Sequence, residues 1–226
     1  MPDLQIAADP SAPARDARPG LSGLTADELA AWFAERGEPA YRARQVGDAV
    51  WGRTASSVDD IRTLPAALRE AVAAAFRFET VGDTELRLSD GGLTEKALHR
   101  LSDGTNVESV LMHYPARPGQ RERHTLCISS QGGCAVGCPF CATGELGFGR
   151  DLETAEIVDQ VRHAARRLQA AHQRLTNVVF MGMGEPLLNL DRVLAAVDAL
   201  TIRAASGWVP GTSRSRRRVS CPASGG

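Results

Sequence analysis

The chain has 226 residues, a formal net charge of −1 and 43% hydrophobic residues, which suits a globular protein and gives no charge-based reason to expect nucleic-acid binding. No apolar run approaches the roughly 20 residues of a membrane-spanning helix, so no membrane partner is expected. Residues 1–21 are rich in Pro, Ala and Asp and lack the apolar core of a secretory signal. We therefore predict a disordered N-terminus and a cytoplasmic protein.

Residues 22–78 have the pattern of a small helical bundle. The sequence TADE, which begins at Thr25, is a capping box for a first helix that Gly37 is placed to end. Pro39 suits the first turn of a second helix, and a third helix is predicted over about 66–76.

Residues 79–123 change to the two-residue period of β-strands and end in a polar loop. The Asp-Gly turn signals at 90–91 and 103–104 separate three short apolar runs. We predict a small antiparallel β segment and linker, with strands at 85–89, 94–101 and 106–113.

From residue 124 to residue 200, strand and helix patterns alternate, which predicts a parallel sheet with functional loops at its C-terminal strand ends. The predicted elements are a strand at 124–129, a helix capped by Thr154 with Ala165 on its apolar face, a strand at 177–181 and a helix at 191–200. Two such units leave a parallel sheet uncovered. The α/β fold class is therefore predicted to be a partial β/α barrel followed by an irregular tail at 201–226.

Four of the five cysteines lie in the run CISSQGGCAVGCPFCATGELGFG, which begins at Cys127. Cys134, Cys138 and Cys141 have the spacing C-x3-C-x2-C, and three thiolates on one loop can hold a 4Fe-4S cluster with one iron left open for catalysis. Glycines between them allow the backbone to fold closely around a cluster. In a reducing compartment clustered cysteines point to metal or catalysis before disulfides.

A zinc site made of all four cysteines is the weaker alternative. Zinc sites favour two separated C-x2-C pairs, which this run does not contain.

Two loops of the chain resemble a known family. LCISSQGGCAVGCPFCATGELGFGRDL and FMGMGEPLLNLDRV are similar to the RlmN/Cfr family of radical S-adenosylmethionine (SAM) RNA adenine methyltransferases, and most to its RlmN branch. YRARQV with LPAALRE resembles the family's N-terminal helical domain, and SDGTNVESVL resembles its linker strand. The resemblance runs from about residue 22 to about 200. It implies an RNA-binding domain at 22–78 and a partial radical SAM core at 124–200.

The resemblance also implies roles for eight residues. They are cluster ligation by Cys134, Cys138 and Cys141, SAM binding by Phe140, Gly184 and Glu185, proton acceptance by Glu108, and resolution of a covalent protein–RNA intermediate by Cys127. The implied role of Glu185 suits its chemistry, because a carboxylate is a natural partner for the methionyl ammonium of SAM.

The residues alone leave simpler interpretations open. GMGEP could be only a tight strand-to-helix turn, and Cys127 could be a buried structural thiol. Glu108 shares a predicted strand face with Val110 and Met112, and a carboxylate on an apolar face can act as a base near neutrality. An exposed glutamate on an edge strand is the alternative.

The activity implied by the resemblance is methylation of C2 of adenosine in 23S rRNA and tRNA. It uses two SAM molecules, a methylcysteine, a covalent protein–RNA intermediate and a closing disulfide. A reducing partner such as flavodoxin is implied, and we expect a monomer. The family's methyl-carrying cysteine does not match Cys221, and RRRVS just before it resembles the start of the family's next strand. We therefore expect a truncated or frame-shifted chain that does not complete methyl transfer alone.

Two further functions stay open at this point, a Cfr-like C8 methyltransferase and a non-catalytic RNA-binding remnant. The five histidines show no metal spacing, and His163 is expected to be solvated on its helix. The basic run at 214–218 is expected to be a solvated tail rather than a phosphate site.

Overall fold

The computed structural model describes residues 14–51, 55, 57–82, 84–205 and 219–220, which form a mixed α/β structure. The helices are α1 Ala26–Ala34, α2 Tyr41–Trp51, α3 Ala66–Ala75, α4 Ala142–Glu145, α5 Thr154–Ala170 and α6 Leu190–Ala205. The strands are β1 Thr84–Ser89, β2 Thr94–Arg100, β3 Asn106–Tyr114, β4 Arg123–Cys127, β5 Gln131–Gly133, β6 Phe148–Asp151, β7 Asn177–Val179 and β8 Val219–Ser220. Within these ranges no helix has both the length and the apolarity needed to cross a membrane.

The first helix begins and ends as its sequence predicts. The Glu28 amide donates to Thr25 Oγ1 at 3.2 Å, and the Thr25 amide donates to Glu28 Oε2 at 2.8 Å, which confirms the capping box. Gly37 has a φ of +71°, and the next amide, of Glu38, donates back to the Phe33 carbonyl at 3.0 Å. This bond closes the helix end with glycine in the left-handed conformation.

Helices α2 and α3 complete the N-terminal bundle. α2 begins at Tyr41, two residues after Pro39, and Pro65 is the N-cap of α3. Val46 and Val72, on their inner faces, are fully buried in the core that all three helices share.

One six-stranded sheet, in the order β1-β2-β3-β4-β7-β8, runs through the rest of the molecule. β1 to β4 are antiparallel neighbours, whereas β4, β7 and β8 are parallel. The observed bounds of β1, β2 and β3 each lie within one residue of the prediction. Because β3 pairs with β4, the antiparallel segment and the parallel core are one sheet, and the described strands do not close into a barrel.

The predicted disorder of residues 1–21 is wrong from residue 14 onward, while residues 1–13 lie outside the described residues. The Leu21 amide donates to the Arg77 carbonyl at 2.9 Å, and Arg77 Nε donates to the Arg18 carbonyl at 2.6 Å. Arg15 contacts Glu153 at 2.5 Å. This segment is ordered because its backbone is paired and Leu21 is buried.

The predicted cap of α5 is off by one residue. Glu153 is the N-cap and forms a capping box with Glu156, so Thr154 is the first helical residue. The apolar face also differs by one position, because Ala164 is buried and Ala165 only partly so. A glutamate N-cap is uncommon, and here the buried Glu156 carboxylate anchors the turn by accepting the Glu153 amide at 2.8 Å.

The tail predicted to be irregular from residue 201 contains two regular pieces. α6 continues to Ala205, and Val219–Ser220 pairs in parallel with β7. Val219 and Ser220 are the last two residues of the RRRVS segment interpreted above as the start of a further strand. The basic run at 214–218 and Cys221 lie outside the described residues.

The expectation that His163 is solvated is wrong. Its ring packs edge-on against buried His99, with ring centroids 5.2 Å apart. Burial lowers the pKa of His163 and lowers that of His99 to about 4, so both imidazoles are neutral parts of the packing between β2 and α5.

A buried arginine on α5 joins this helix to the N-terminal helical bundle. Arg162 donates to the Val50 carbonyl at 3.0 Å, to the Phe78 carbonyl at 3.1 Å and to Asp159 Oδ1 at 2.5 Å. Asp159 in turn accepts from the amide and hydroxyl of Thr80 at 2.8 and 2.7 Å. Helix α5 is thereby tied to α2 and to the segment that follows α3.

Replacing this arginine is expected to destabilise the whole fold. Arg162→Met leaves the buried Asp159 carboxylate without its cation, and breaking a buried pair costs about 3–5 kcal/mol of unfolding free energy. Urea denaturation measures this loss. Arg167→Met on the same helix removes an exposed ion pair with Glu95 and serves as the control, with an expected cost below about 1 kcal/mol. Equal losses in the two variants would contradict the assignment.

Candidate functional site

The site lies where β4 and β7 end, because the two loops that follow these strands run side by side. The Ile128 amide donates to the Val179 carbonyl at 2.9 Å, and the Gly182 amide donates to the Ile128 carbonyl at 3.0 Å. The Met183 carbonyl then accepts the amides of the next two residues of the first loop, Ser130 and Gln131, at 2.9 and 3.2 Å. The cysteine loop and the GMGEP turn are therefore joined by backbone bonds.

The cysteine loop is held at its base by the β5–β6 hairpin. Gly133 has a φ of +84°, and a Cβ there would overlap the Gly147 carbonyl, so only glycine fits. The Cys134 amide donates to that same carbonyl at 2.9 Å, and the Cys141 amide donates to the Cys138 carbonyl at 3.1 Å. All three predicted cluster ligands are free, partly exposed thiols.

The Cys141 thiol has a setting that favours its deprotonated form. A hydrogen bond from the Gly144 amide, assisted by others from Thr143, lowers the pKa of Cys141 despite partial burial. A thiolate is the form that binds iron. Phe140, the residue before Cys141, is 89% exposed, so its ring is largely open to solvent.

The donor set of the loop fits a cluster chemically. Three thiols lie on one segment, amides point at one of them, and nothing lies within 4 Å of a Cβ placed on Gly137, so the loop has room to close. Within the described ranges, no three His, Cys, Asp or Glu side chains already converge on a metal position. No disulfide joins the four described cysteines, so the predicted disulfide has no support here.

The GMGEP turn presents Gly184 and Glu185 toward the cysteine loop. Gly184 has a φ of +95°, and a Cβ there would lie 2.5 Å from the Gln131 Cβ. Glu185 Oε1 accepts the Leu187 amide at 3.1 Å and caps the short 3-10 helix that leads into α6. The simpler interpretation of a strand-to-helix turn is thus part of the structure, and the half-exposed carboxylate keeps further acceptor capacity for an ammonium.

Glu108 and Cys127 lie on the same face of the sheet. Val110 is the register partner of Cys127, which makes Glu108 a diagonal neighbour at about 7–8 Å between Cα atoms. Of the two settings left open for Glu108, the structure favours the exposed one, although β3 is an internal strand and not an edge strand. Its side chain is 36% exposed and pairs with Lys96 Nζ at 2.6 Å.

Cys127 is half-buried at the end of β4. Burial raises the pKa of its thiol, while a hydrogen bond from the Met181 amide acts in the opposite direction. The thiol is therefore protonated near neutral pH, and a nearby base would have to activate it.

Four buried polar side chains that the sequence interpretation missed organise the loops: Ser129, Gln131, Gln160 and Asn189. Gln160 accepts the Ser129 amide at 2.9 Å and donates to the Ser129 carbonyl at 3.0 Å. Asn189 donates to the Ser130 and Leu152 carbonyls, each at 2.9 Å. The signal was available as the run SSQ directly after an apolar strand, where buried polar groups must find partners.

Ser129 connects three segments through one hydroxyl. Its Oγ donates to the Glu108 carbonyl at 2.6 Å and accepts the Met183 amide at 2.8 Å. The strand that carries Glu108, the cysteine loop and the GMGEP turn therefore meet at a single atom.

Comparison with known proteins agrees with this geometry. A family model described as the radical SAM superfamily matches residues 128–225, which include the cysteine loop and the turn. A solved radical SAM methyltransferase from Sphaerobacter thermophilus superposes with a TM-score of 0.75 at 41% identity, covering 80% of this chain and 52% of that one. The chain therefore carries a radical SAM core.

The N-terminal helical bundle narrows the family assignment within the radical SAM superfamily. Residues 20–77 match the family model described as the ribosomal RNA large subunit methyltransferase N-terminal domain. Proteins named probable dual-specificity RNA methyltransferase RlmN from Corynebacterium diphtheriae and Mycobacterium bovis are each 46% identical, over 83% and 92% of this chain. The chain belongs to the RlmN family. It spans about half the length of these relatives, 50% and 55% respectively.

The two thiols with shifted pKa values are expected to differ in reactivity. In reduced, metal-free protein near neutral pH, Cys141 should react with iodoacetamide faster than Cys127, because the pKa of Cys141 is lowered and that of Cys127 is raised, which gives Cys141 the larger thiolate fraction. Peptide mass spectrometry over time measures both rates. In concentrated urea the rates should converge, and equal rates in the folded protein would contradict the burial argument.

Proposed function

We propose that this site uses a 4Fe-4S cluster and SAM to methylate an adenosine in RNA. The observation that supports the proposal is the pairing of the cysteine loop with the GMGEP turn through the Met183 carbonyl. Cys134, Cys138 and Cys141 would hold the cluster. When bound, a cluster with one iron free of protein ligands supplies the electron that cleaves SAM.

The other predicted site residues have separate proposed roles. Glu185 would offer its free acceptor capacity to the ammonium of SAM. The exposed ring of Phe140 would also contact SAM. Glu108 takes the proton that leaves the adenine ring at C2, and Lys96, 2.6 Å away, steadies the carboxylate beforehand. The Cys127 thiol, on the same sheet face, resolves the covalent protein–RNA intermediate.

The substrates and partners follow from the family. The curated relatives are named dual-specificity RNA methyltransferases, which supports 23S rRNA and tRNA as substrates. The helical bundle at 22–78 would contact the RNA, and a small electron donor such as flavodoxin would reduce the cluster.

Cluster ligation can be tested one cysteine at a time. Cys134→Ser, Cys138→Ser or Cys141→Ser should each remove most of the iron and sulfide taken up during anaerobic reconstitution, because a cube held by three thiolates loses a corner. Cys127→Ala should keep the wild-type iron and sulfide content, since the Cys127 thiol is half-buried at the end of β4 and has no proposed role in cluster ligation.

Iron and sulfide analysis with visible absorption measures both results. Loss of metal in the Cys127→Ala protein would favour the four-cysteine zinc site instead. A wild-type chain without bound iron would favour the non-catalytic remnant.

Methyl transfer itself is tested with labelled SAM and RNA, with the Corynebacterium diphtheriae relative as the positive control. Label should enter RNA with the relative and should not enter RNA with these 226 residues alone, because they offer no match to the methyl-carrying cysteine of the family. Label in RNA from this chain would overturn that expectation. Mapping the labelled carbon in the relative's product separates C2 from C8 chemistry.

A further inference from the structure

Gln131 is a buried amide side chain at the junction of the two loops. It is 1% exposed and begins β5, three residues before the first cluster cysteine. Its Nε2 donates to Asp151 Oδ1 at 2.7 Å, and its Oε1 accepts the Glu185 amide at 2.9 Å. One side chain therefore spans from β6 of the cysteine hairpin to the turn that carries Glu185.

The Gln131 side chain also limits which residue can stand at position 184, just before Glu185. Gly184 lies flat against the Gln131 side chain, where a Cβ would meet its Cβ at 2.5 Å and its Cγ at 2.7 Å. The Gln131 amide also donates to the Met183 carbonyl. Three successive residues of the turn, Met183, Gly184 and Glu185, thus take their positions from Gln131.

We propose that Gln131 is a positioning residue that fixes Gly184 and Glu185 against the cysteine loop and thereby sets the affinity of the site for SAM. The inference rests on the proposed function for the identity of the ligand. A carboxylate that binds an ammonium contributes most when its backbone is already held in place, since ordering it on binding subtracts from affinity.

The chemistry of the position requires an amide, because one end must donate and the other must accept. Methionine fills a similar volume and can do neither. Glutamate can still accept the Glu185 amide but directs a carboxylate at Asp151. Asp151→Asn supplies a donor to that carboxylate, so the double substitution restores both contacts, with donor and acceptor exchanged only in the contact between positions 131 and 151.

The experiment compares Gln131→Met, Gln131→Glu, Asp151→Asn and the Gln131→Glu/Asp151→Asn double variant with the wild-type chain. Iron content is measured first, and all variants should match the wild type because no cluster ligand is changed. The dissociation constant for labelled SAM, from anaerobic equilibrium dialysis, should rise about tenfold in both single Gln131 variants, as for a buried bond left unmade.

The rescue distinguishes positioning from mere packing. Asp151→Asn keeps an acceptor for Gln131 and should change the dissociation constant by less than about twofold, and the double variant should return to within about threefold of wild type. Hydrogen exchange of the peptide over 182–187 should follow the same order, faster in the single Gln131 variants and restored in the double variant.

The outcomes separate this inference from the proposed function. Unchanged exchange and SAM affinity in Gln131→Met, or no rescue in the double variant, overturns the role of Gln131. A wild-type chain that takes up no cluster overturns the proposed function instead, and exchange in the turn still decides whether Gln131 holds it.

Discussion

The carbonyl of Met183 is the point on which the site depends. It accepts the amides of Ser130 and Gln131, so the loop with the three thiols cannot shift relative to the loop with the carboxylate without breaking both bonds. Ser129 adds a third link, because its hydroxyl joins the Met183 amide to the strand of Glu108. These bonds join buried polar groups, so an apolar substitution at Ser129 or Gln131 would leave buried partners unpaired.

Helix α5 connects this network to the N-terminal bundle. Gln160 holds both backbone groups of Ser129, and Arg162, two residues later, holds the carbonyls of Val50 and Phe78. The bundle that would meet RNA and the loops that would perform the chemistry are therefore fixed to one rigid element. A substrate bound to the bundle would be presented at a constant distance from the loops.

Much of this arrangement was predictable from local patterns. The capping box at Thr25, the Asp-Gly turns and the period-two runs depend on neighbouring residues only, so the first helix and strands β1 to β3 appear close to their predicted bounds. In contrast, α6 extends five residues beyond its predicted end, and β4 and β7 each end two residues earlier than predicted. Two of the errors come from contacts between residues that are distant in sequence: residues 14–20 are ordered by Arg77, and Glu108 meets Lys96 on a neighbouring strand. The N-cap at Glu153 is instead a local error, because its capping box with Glu156 spans only three residues. The cysteine spacing indicated a cluster, and the run SSQ after β4 marked polar residues that need partners. Which partners they find, on α5 and in the GMGEP turn, depends on the tertiary fold.

The strand order has a consequence for how the chain reaches this structure. β1 to β4 pair with strands next to them in sequence, so this half of the sheet closes only short loops. The parallel neighbour β7 lies about fifty residues beyond its partner β4 and needs α5 in place as its crossover. We infer that the meander assembles first and offers the edge of β4 as a template for β7. The cysteine loop lies between β4 and β7 in the sequence. It would then become fixed between a strand that forms early, β4, and a strand that pairs late, β7.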